Sequence, residues 1–203
     1  MILSFTTPLY YVNDKPHLGS TYTTLACDAL ARFQRLQGHD VVFVTGVDEH
    51  GQKIERTARD KGEYPLEYCN HVSSLYIDLW SRLDISNDRF VRTTSARHKE
   101  LVELFFKRVQ ESDDIYLGRQ RGWYCVGCEE YKDIEAASIS PTCPLHKNIL
   151  EWRDEENLFF KLSKYQAQIE ELCSQAGFVL PQTRQNEITN FVRQGLRDFS
   201  ISR

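Results

Sequence analysis

The sequence predicts an α/β fold, in which the first half of a parallel sheet is followed by an inserted segment of different character. Two apolar, strand-like runs at residues 2–6 and 41–45 flank one helical pattern, which makes a β-α-β unit. The second run is almost continuously apolar and β-branched, as is typical of a parallel strand covered on both faces. From residue 119 to 152 helical periodicity gives way to cysteine, glycine, proline and aromatic residues, which indicates the insertion.

The helix between these strands should begin after His17 and end at Gly38, a residue common just past a helix end. Its apolar residues recur with a period near 3.6, so we expect that face to point into a core. The face consists of Tyr22, Leu25, Ala26, Ala29, Leu30, Phe33 and Leu36.

The remaining elements follow from the same reasoning. A helix that starts at Pro65 should bury Cys69, Val72, Tyr76, Leu79, Trp80 and Leu83, and one capped by Thr94 or Ser95 should bury Leu101, Val102, Phe105 and Val109. Tyr165, Ile169, Leu172, Cys173 and Ala176 indicate another helix. Further helices are predicted at 52–61 and 185–196, strands at 89–92, 115–117 and 158–162, and an extended segment at 198–202.

Composition is that of an ordinary globular chain. The 203 residues are 41% hydrophobic, with a net charge of −4 and a pI near 5.9. No apolar run reaches the roughly 20 residues that span a bilayer, and no signal or transit peptide is evident, so we expect a cytoplasmic protein without a membrane partner. The charge gives no support for nucleic-acid binding, which usually needs a basic module.

One cysteine cluster predicts a metal site. Cys125 and Cys128 form one pair, Cys143 and His146 form another, and each pair is separated by two residues. Three thiolates and one imidazole are a ligand set of tetrahedral zinc, and because all four positions are filled, the site would be structural. Reduced surface cysteines are the alternative. Buried, inert thiols explain the other three cysteines, Cys27, Cys69 and Cys173.

Polar residues follow the first two predicted strands, where ligands of parallel sheets bind. His17 and Gly19 open a helix, whose free N–H groups suit a phosphate group, although a surface loop histidine is the alternative. Asp48 offers a carboxylate for an amino group, but it also suits a turn. Leu9 and Tyr11 either line an apolar pocket or pack in the core.

These stretches resemble a known family. His17-Leu18-Gly19-Ser20 is similar to the first signature of class I aminoacyl-tRNA synthetases, although Ser20 stands where that signature has a second histidine. The surrounding segment Thr6–Asp14 and the segment Gly46–Gly51 look specifically like methionyl-tRNA synthetases. The resemblance extends from about Leu3 to Arg203, and it implies a Rossmann-like class I catalytic fold interrupted by a connective peptide with a single zinc knuckle.

The resemblance also implies roles for individual residues. Asp48 would bind the methionine ammonium group, Leu9 and Tyr11 would contact the methionine side chain, and Arg203 would belong to the substrate site. His17 and Ser20 would act in catalysis, and His17, Gly19, Ser20 and His50 would contact ATP, which enters with Mg²⁺. The partners implied are L-methionine, ATP and tRNA(Met), and the cofactor is one structural Zn²⁺ per chain.

The implied domains are the N-terminal half of the nucleotide-binding catalytic domain at 1–115, the connective peptide at 116–160 and a return into the catalytic domain at 161–203. The second family signature, a Lys-Met-Ser-Lys-Ser loop, does not occur in these residues. We therefore expect a fragment that is poorly active or inactive by itself. The alternatives are a class I synthetase for leucine, isoleucine, valine or cysteine, a non-catalytic zinc module that binds tRNA or protein, and, less favoured, a zinc-dependent hydrolase.

Overall fold

The computed structural model describes residues 2–132, 134 and 140–202 of the chain. These residues fall into two units, Met1–Glu103 and Leu104–Arg203. The predicted functional division into 1–115, 116–160 and 161–203 has different boundaries, and it stays a prediction. Within the described residues, no helix combines the length and the apolar character that a membrane crossing requires.

A four-stranded parallel sheet in the first unit confirms the predicted α/β class. Its strands are β1 (Ile2–Thr6), β2 (Tyr10–Tyr11), β3 (Asp40–Asp48) and β4 (Arg89–Arg92). β3 is the strand that pairs with each of the others, and Tyr11 of β2 lies opposite Asp48 of β3. Because all of the strands run in one direction, the residues that follow β2, β3 and β4 gather at one edge of the sheet.

Helices lie at the predicted positions in the chain. They are α1 (Leu18–Leu36), α2 (Gln52–Asp60), α3 (Pro65–Arg82) and α4 (Ala96–Glu111). The predicted inward face of α3 is confirmed at Cys69, Val72, Tyr76 and Trp80, each at most 3% exposed, but the prediction is wrong at Leu83, which is 37% exposed. Tyr76 stacks on Tyr10 of β2 with 5.7 Å between ring centroids, so α3 packs behind the strand ends where the candidate site lies.

The predicted inward faces of α1 and α4 are wrong. On α1, Tyr22, Leu25, Leu30, Phe33 and Leu36 are between 42% and 84% exposed, and on α4, Leu101, Val102 and Phe105 are between 47% and 70% exposed. The residues that α1 buries are Ser20, Thr24, Asp28 and Ala31. Periodicity identified an apolar stripe, but small and hydroxyl-bearing residues let this helix approach the sheet more closely.

The buried stripe of α1 is held by polar contacts. The Thr24 hydroxyl lies 2.8 Å from the hydroxyl of Tyr10. The carboxylate of Asp28 accepts the backbone N–H of Ser86 at 2.7 Å and pairs with Arg32 at 2.7 Å. These specific bonds replace the apolar packing that the sequence pattern suggested.

The second unit is built on an antiparallel sheet with the strand order β6-β5-β7-β8. Its elements are β5 (Ile115–Cys125), β6 (Glu130–Lys132), β7 (Glu151–Phe160), a 3-10 helix (Leu162–Tyr165), α5 (Gln166–Ser174), α6 (Gln182–Arg193) and β8 (Phe199–Ser200). The strands predicted at 115–117 and 158–162 are therefore only the ends of much longer strands.

The length of β5 and β7 was missed because their inner halves carry many charged residues. Arg119 lies opposite Glu156, and Arg121 lies opposite Asp154, so opposite charges face each other across the pair. Arg119 also donates to Asp154 at 2.6 Å. In the sequence, these charged residues suggested an irregular, solvated segment. In the structure, they stabilise the pairing of β5 with β7, and the cysteine cluster lies at the end of these strands.

Candidate active site and metal centre

His17 is the N-cap of α1. Its backbone is extended, and its ring Nδ1 accepts the backbone N–H groups of Gly19 at 3.0 Å and Ser20 at 3.4 Å. Because backbone N–H groups can only donate, Nδ1 carries no proton, and in the neutral ring the proton is on Nε2. Nε2 of His17 is therefore a hydrogen-bond donor at the exposed N-terminus of α1.

Ser20 and Gly19 both serve this cap. The Ser20 hydroxyl is 3.1 Å from the His17 backbone nitrogen and donates to the His17 carbonyl at 2.8 Å, and the residue is only 2% exposed. A Cβ atom at Gly19 would lie 2.9 Å from the His17 ring. Glycine is thus needed here because it leaves room for the imidazole ring. It also leaves the backbone open to close approach by a ligand.

Asp48 lies at the end of β3, directly opposite Tyr11 of β2. Side chains of registered neighbours on parallel strands lie on the same face of the sheet, so the side chains of Asp48 and Tyr11 leave the sheet on the same face. Leu9 comes two residues before Tyr11, and both side chains are partly exposed, at 37% and 44%. The structure thus brings Asp48 and Tyr11 together, with Leu9 just before β2.

His50 and Asp48 share the turn that follows β3. The backbone N–H of His50 donates to the Asp48 carboxylate at 3.4 Å, and the ring Nε2 of His50 is 3.3 Å from the carbonyl of Thr93. Since that carbonyl can only accept, Nε2 of His50 is protonated. Both residues remain accessible, with Asp48 half-buried and His50 exposed.

Glu49, between them, was missed by the sequence reasoning. Its side chain is fully buried, and its carboxylate accepts the Arg92 Nε–H at 2.7 Å and the Ser73 hydroxyl at 2.6 Å. Burial by itself raises the pKa of Glu49, but the hydrogen bonds from Ser73, Thr94 and Arg92 outweigh burial and hold the pKa below its usual value. Nothing in the sequence distinguished this carboxylate from a solvated one, because its partners come from α3 and from the end of β4.

The four predicted metal ligands come together in the second unit. Cys128 Sγ lies 3.2 Å from His146 Nδ1 and 3.5 Å from Cys143 Sγ, while Cys125 Sγ lies 3.9 Å from His146 Nδ1. All four ligand atoms fall within 4.8 Å of one another. Ligands about 2.0–2.3 Å from a tetrahedral zinc ion are separated from each other by about 3.5–3.8 Å, so these residues fit such an ion.

The two ligand pairs repeat one turn geometry. In each pair the backbone N–H of the second ligand points at the first sulfur, Cys128 to Cys125 at 3.4 Å and His146 to Cys143 at 3.5 Å. In each, the following residue donates its N–H to the carbonyl of the first cysteine and has a positive φ, 57° at Glu129 and 58° at Lys147. The equal spacing in the sequence therefore produces two equivalent turns that aim their ligands at one point.

The chemistry of the four donors also suits a cation. The His146 backbone N–H lowers the pKa of the Cys143 thiol to about 6, whereas burial and the neighbouring thiols raise the pKa of Cys128. Thiolates this close repel each other unless a positive ion lies between them. Gly127 completes the cluster, because a Cβ atom there would lie 2.8 Å from the His146 ring.

Arg203, which the resemblance placed in the substrate site, lies outside the described residues. Cys69 and Cys173 are 2% and 4% exposed, which agrees with inert thiols, and burial together with the charge of Glu49 raises the pKa of Cys69 to about 11. Cys27 is only half-buried.

The fold and these two groups of residues define an α/β protein with a candidate ligand site at the end of a parallel sheet and a Cys/His cluster that could hold a metal ion. A family model described as tRNA synthetases class I (M) matches residues 3–148 and 132–203. The chain belongs to this class I tRNA synthetase family.

Individual relatives agree with this assignment. The chain is 56% identical to a methionine–tRNA ligase of Nostoc sp. over 98% of its own length and 38% of the relative's. It is 50% identical to the chloroplastic/mitochondrial methionine–tRNA ligase of Arabidopsis thaliana, over 98% of this chain and 32% of that protein. The chain thus spans well under half of the length of these relatives.

A solved structure is also similar. The Mycobacterium tuberculosis methionyl-tRNA synthetase in complex with methionyl-adenylate superposes with a TM-score of 0.89 at 35% identity, over 100% of this chain and 40% of that one. The free-state structure of the same synthetase gives a TM-score of 0.75 at 33% identity, over 100% of this chain and 39% of that one.

Proposed function

We propose that this chain is part of a methionine–tRNA ligase, which joins L-methionine to ATP and passes the methionyl group to tRNA(Met), releasing pyrophosphate and AMP. The observation that carries the proposal is the pairing of Asp48 with Tyr11 at the end of the sheet. A carboxylate beside an aromatic ring and an apolar side chain can recognise both the ammonium group and the thioether chain of methionine. The names of the relatives support the same substrate.

In this proposal the first step needs no nucleophile from the protein. The methionine carboxylate attacks the α-phosphate of ATP, and the site supplies positioning and charge stabilisation. Asp48 holds the ammonium group, and Leu9 and Tyr11 line the pocket. Arg203 belongs to the same substrate site, as the resemblance implies.

The N-terminus of α1 serves the nucleotide. The Nε2–H of His17 and the free N–H groups of the first turn are donors for phosphate oxygens, whose charge is shared with Mg²⁺. Gly19 keeps the backbone accessible, and Ser20, whose hydroxyl holds the His17 backbone, acts with His17. His50 offers a further nucleotide contact from the turn after β3.

The second unit holds one structural zinc ion in this proposal. Cys125, Cys128, Cys143 and His146 would be its ligands, and the ion would supply local stability rather than chemistry, because four protein ligands leave no position for water. That filled ligand set also disfavours a zinc-dependent hydrolase.

tRNA(Met) is the proposed second substrate, and the cytoplasm is the proposed compartment, although the Arabidopsis relative is named chloroplastic/mitochondrial. Arg119 and Arg121 near the knuckle are not free basic groups, since both pair with Asp154, at 2.6 Å and 3.2 Å. The support for tRNA binding therefore comes from the family and not from charge.

A charging assay tests this function. Protein produced from the complete gene is mixed with labelled methionine, ATP, Mg²⁺ and a tRNA(Met) transcript, and acid-precipitable label is counted. We expect methionyl-tRNA to form only when ATP is present, and a tRNA for another amino acid serves as the control. Binding of tRNA without any charging would favour the non-catalytic zinc module instead.

A further inference from the structure

Glu49 is a buried carboxylate whose partners come from α3, from β4 and from the residues just after β4. Its side chain is fully buried, and Arg92, Ser73 and Thr94 all donate to it. Its backbone N–H donates to the hydroxyl of Thr93 at 2.9 Å. The turn after β3 is thereby tied to the end of β4 and to α3 through a single residue.

The buried position of Glu49 determines where the side chains of its neighbours Asp48 and His50 lie. Burial alternates along the turn, with Asp48 half-buried, Glu49 buried and His50 exposed. Alternation of this kind places the side chain of Glu49 on one side of the chain and those of its neighbours on the other. Because Glu49 is fixed inward by a charge pair and several hydrogen bonds, the side chain of Asp48 is directed to the other side of the chain, and the register of β3 with β2 places Asp48 opposite Tyr11.

We propose that Glu49 is the positioning residue of the amino-acid site, which holds the Asp48 carboxylate where it meets the substrate ammonium group. This inference rests on the proposed function and deepens it. Glu49 itself touches no substrate, because its carboxylate is enclosed by residues of the protein. The polar partners that face it from the packed elements are Arg92, Thr93 and Thr94 at the end of β4 and Ser73 of α3, and Asn70 of α3 in turn accepts from Arg92 at 2.6 Å.

The inference predicts a particular kinetic pattern. The ammonium group keeps its charge while the carboxylate attacks phosphate, so its contact with Asp48 is equally strong before and during the reaction. An interaction of this kind sets KM and leaves kcat unchanged. Displacing Asp48 should therefore raise the KM for methionine and spare the KM for ATP.

The test uses methionine-dependent exchange of pyrophosphate into ATP by the protein produced from its complete gene. Glu49→Gln removes the charge and turns an acceptor into a donor that faces Arg92. We expect the KM for methionine to rise about 10- to 100-fold, while the KM for ATP and kcat change by less than about threefold. Ser73→Ala removes one donor and leaves the charge of Glu49, so we expect a smaller rise in the KM for methionine. This second variant keeps the test valid if Glu49→Gln folds poorly.

The matched control is Asp114→Asn in the other unit. Asp114 is also a buried carboxylate, paired with Lys164 at 2.6 Å and bonded to Tyr165 at 2.5 Å. We expect this variant to lose stability without any change in the KM for methionine. The inference is overturned if Glu49→Gln and Asp114→Asn have the same kinetic effect, or if Glu49→Gln leaves the KM for methionine unchanged. A wild-type protein without methionine-dependent exchange overturns instead the proposed function on which the inference depends.

Discussion

The Nδ1 atom of His17 accepts the backbone N–H of Gly19 at 3.0 Å, so one ring nitrogen caps α1 and the other remains a donor. This single relationship separates two contributions of the residue. The cap stabilises the helix, and the Nε2–H group faces the ligand in the proposed reaction. A substitution of His17 can therefore remove the Nε2–H donor and still keep the helix cap.

His17→Asn and His17→Ala distinguish them. Asparagine is among the best N-cap residues, so His17→Asn should keep stability, whereas His17→Ala should cost about 1 kcal/mol. Both variants lose the Nε2–H donor of the ring, which the shorter amide of asparagine does not replace at the same position, and we expect pyrophosphate exchange to fall about 10²- to 10³-fold in each. Thermal unfolding and exchange rates measure the two effects. Near-normal exchange by His17→Asn would show that the ring only caps the helix.

Metal removal should unfold the cluster at the end of β5. The buried residues there are chiefly Cys125, Cys143 and Leu150, with Trp123 packed against them, so few apolar contacts remain without the ion. We expect about one zinc per chain after purification without chelator, and a change in tryptophan fluorescence when a strong chelator extracts it. Elemental analysis that finds far less than one zinc would contradict the assignment of the cluster.

Gly127→Ala tests the close approach of the His146 ring. The added Cβ atom would lie 2.8 Å from that ring, so the imidazole must move away from the sulfur atoms. Zinc affinity should fall about 10-fold or more, as is typical when the support of a ligand is disturbed. Competition with a chromophoric chelator gives the affinity, and Gly62→Ala, in the other unit, is the control. Equal zinc affinities for wild type and Gly127→Ala would exclude this packing role.

The depressed pKa of Glu49 makes part of the stability dependent on pH. Its pKa lies below that of an unfolded glutamate, so its contribution is present above about pH 4.5 and is lost as the pH falls through the folded-state pKa. The variant Glu49→Gln has no titratable carboxyl group at this position. The difference in unfolding free energy between wild type and this variant should therefore be largest near neutral pH and shrink in acid.

Urea unfolding at pH 6.5 and at pH 4 gives that difference. Protonation of the proposed zinc ligands should affect both proteins alike and cancel in the comparison. A difference that stays constant between the two pH values would mean that the pKa of Glu49 is the same in the folded and the unfolded protein, which would contradict the prediction.

The sequence was sufficient for β3 and α3. β3 is a continuous apolar strand, and α3 has one apolar face that the structure buries at Tyr76 and Trp80. Hydrophobic burial decides both elements, and hydrophobic pattern is what a sequence displays most directly.

The same reasoning failed where polar contacts decide the packing. α1 turns Thr24 and Asp28 inward, because Tyr10 and Ser86 supply partners that lie far away in the sequence. Long-range hydrogen bonds of this kind leave no periodic signal. The buried role of Glu49 was missed for the same reason.

The cluster of three cysteines and one histidine was the most predictable group of candidate residues. Its ligands come in two local pairs, and each pair needs only a tight turn, such as the one at Cys125, to bring its atoms together. The pairing of Tyr11 with Asp48 depended instead on the register of two strands, and the resemblance to a family implied only that both residues contact methionine.

The central claim is that the site at the end of β3 activates methionine. The most direct test is amino-acid-dependent exchange of pyrophosphate into ATP, measured for methionine, leucine, isoleucine, valine and cysteine with protein from the complete gene. We expect exchange with methionine and a raised KM for methionine in Asp48→Asn. Exchange that prefers another amino acid, or that is the same in Asp48→Asn as in wild type, would contradict it.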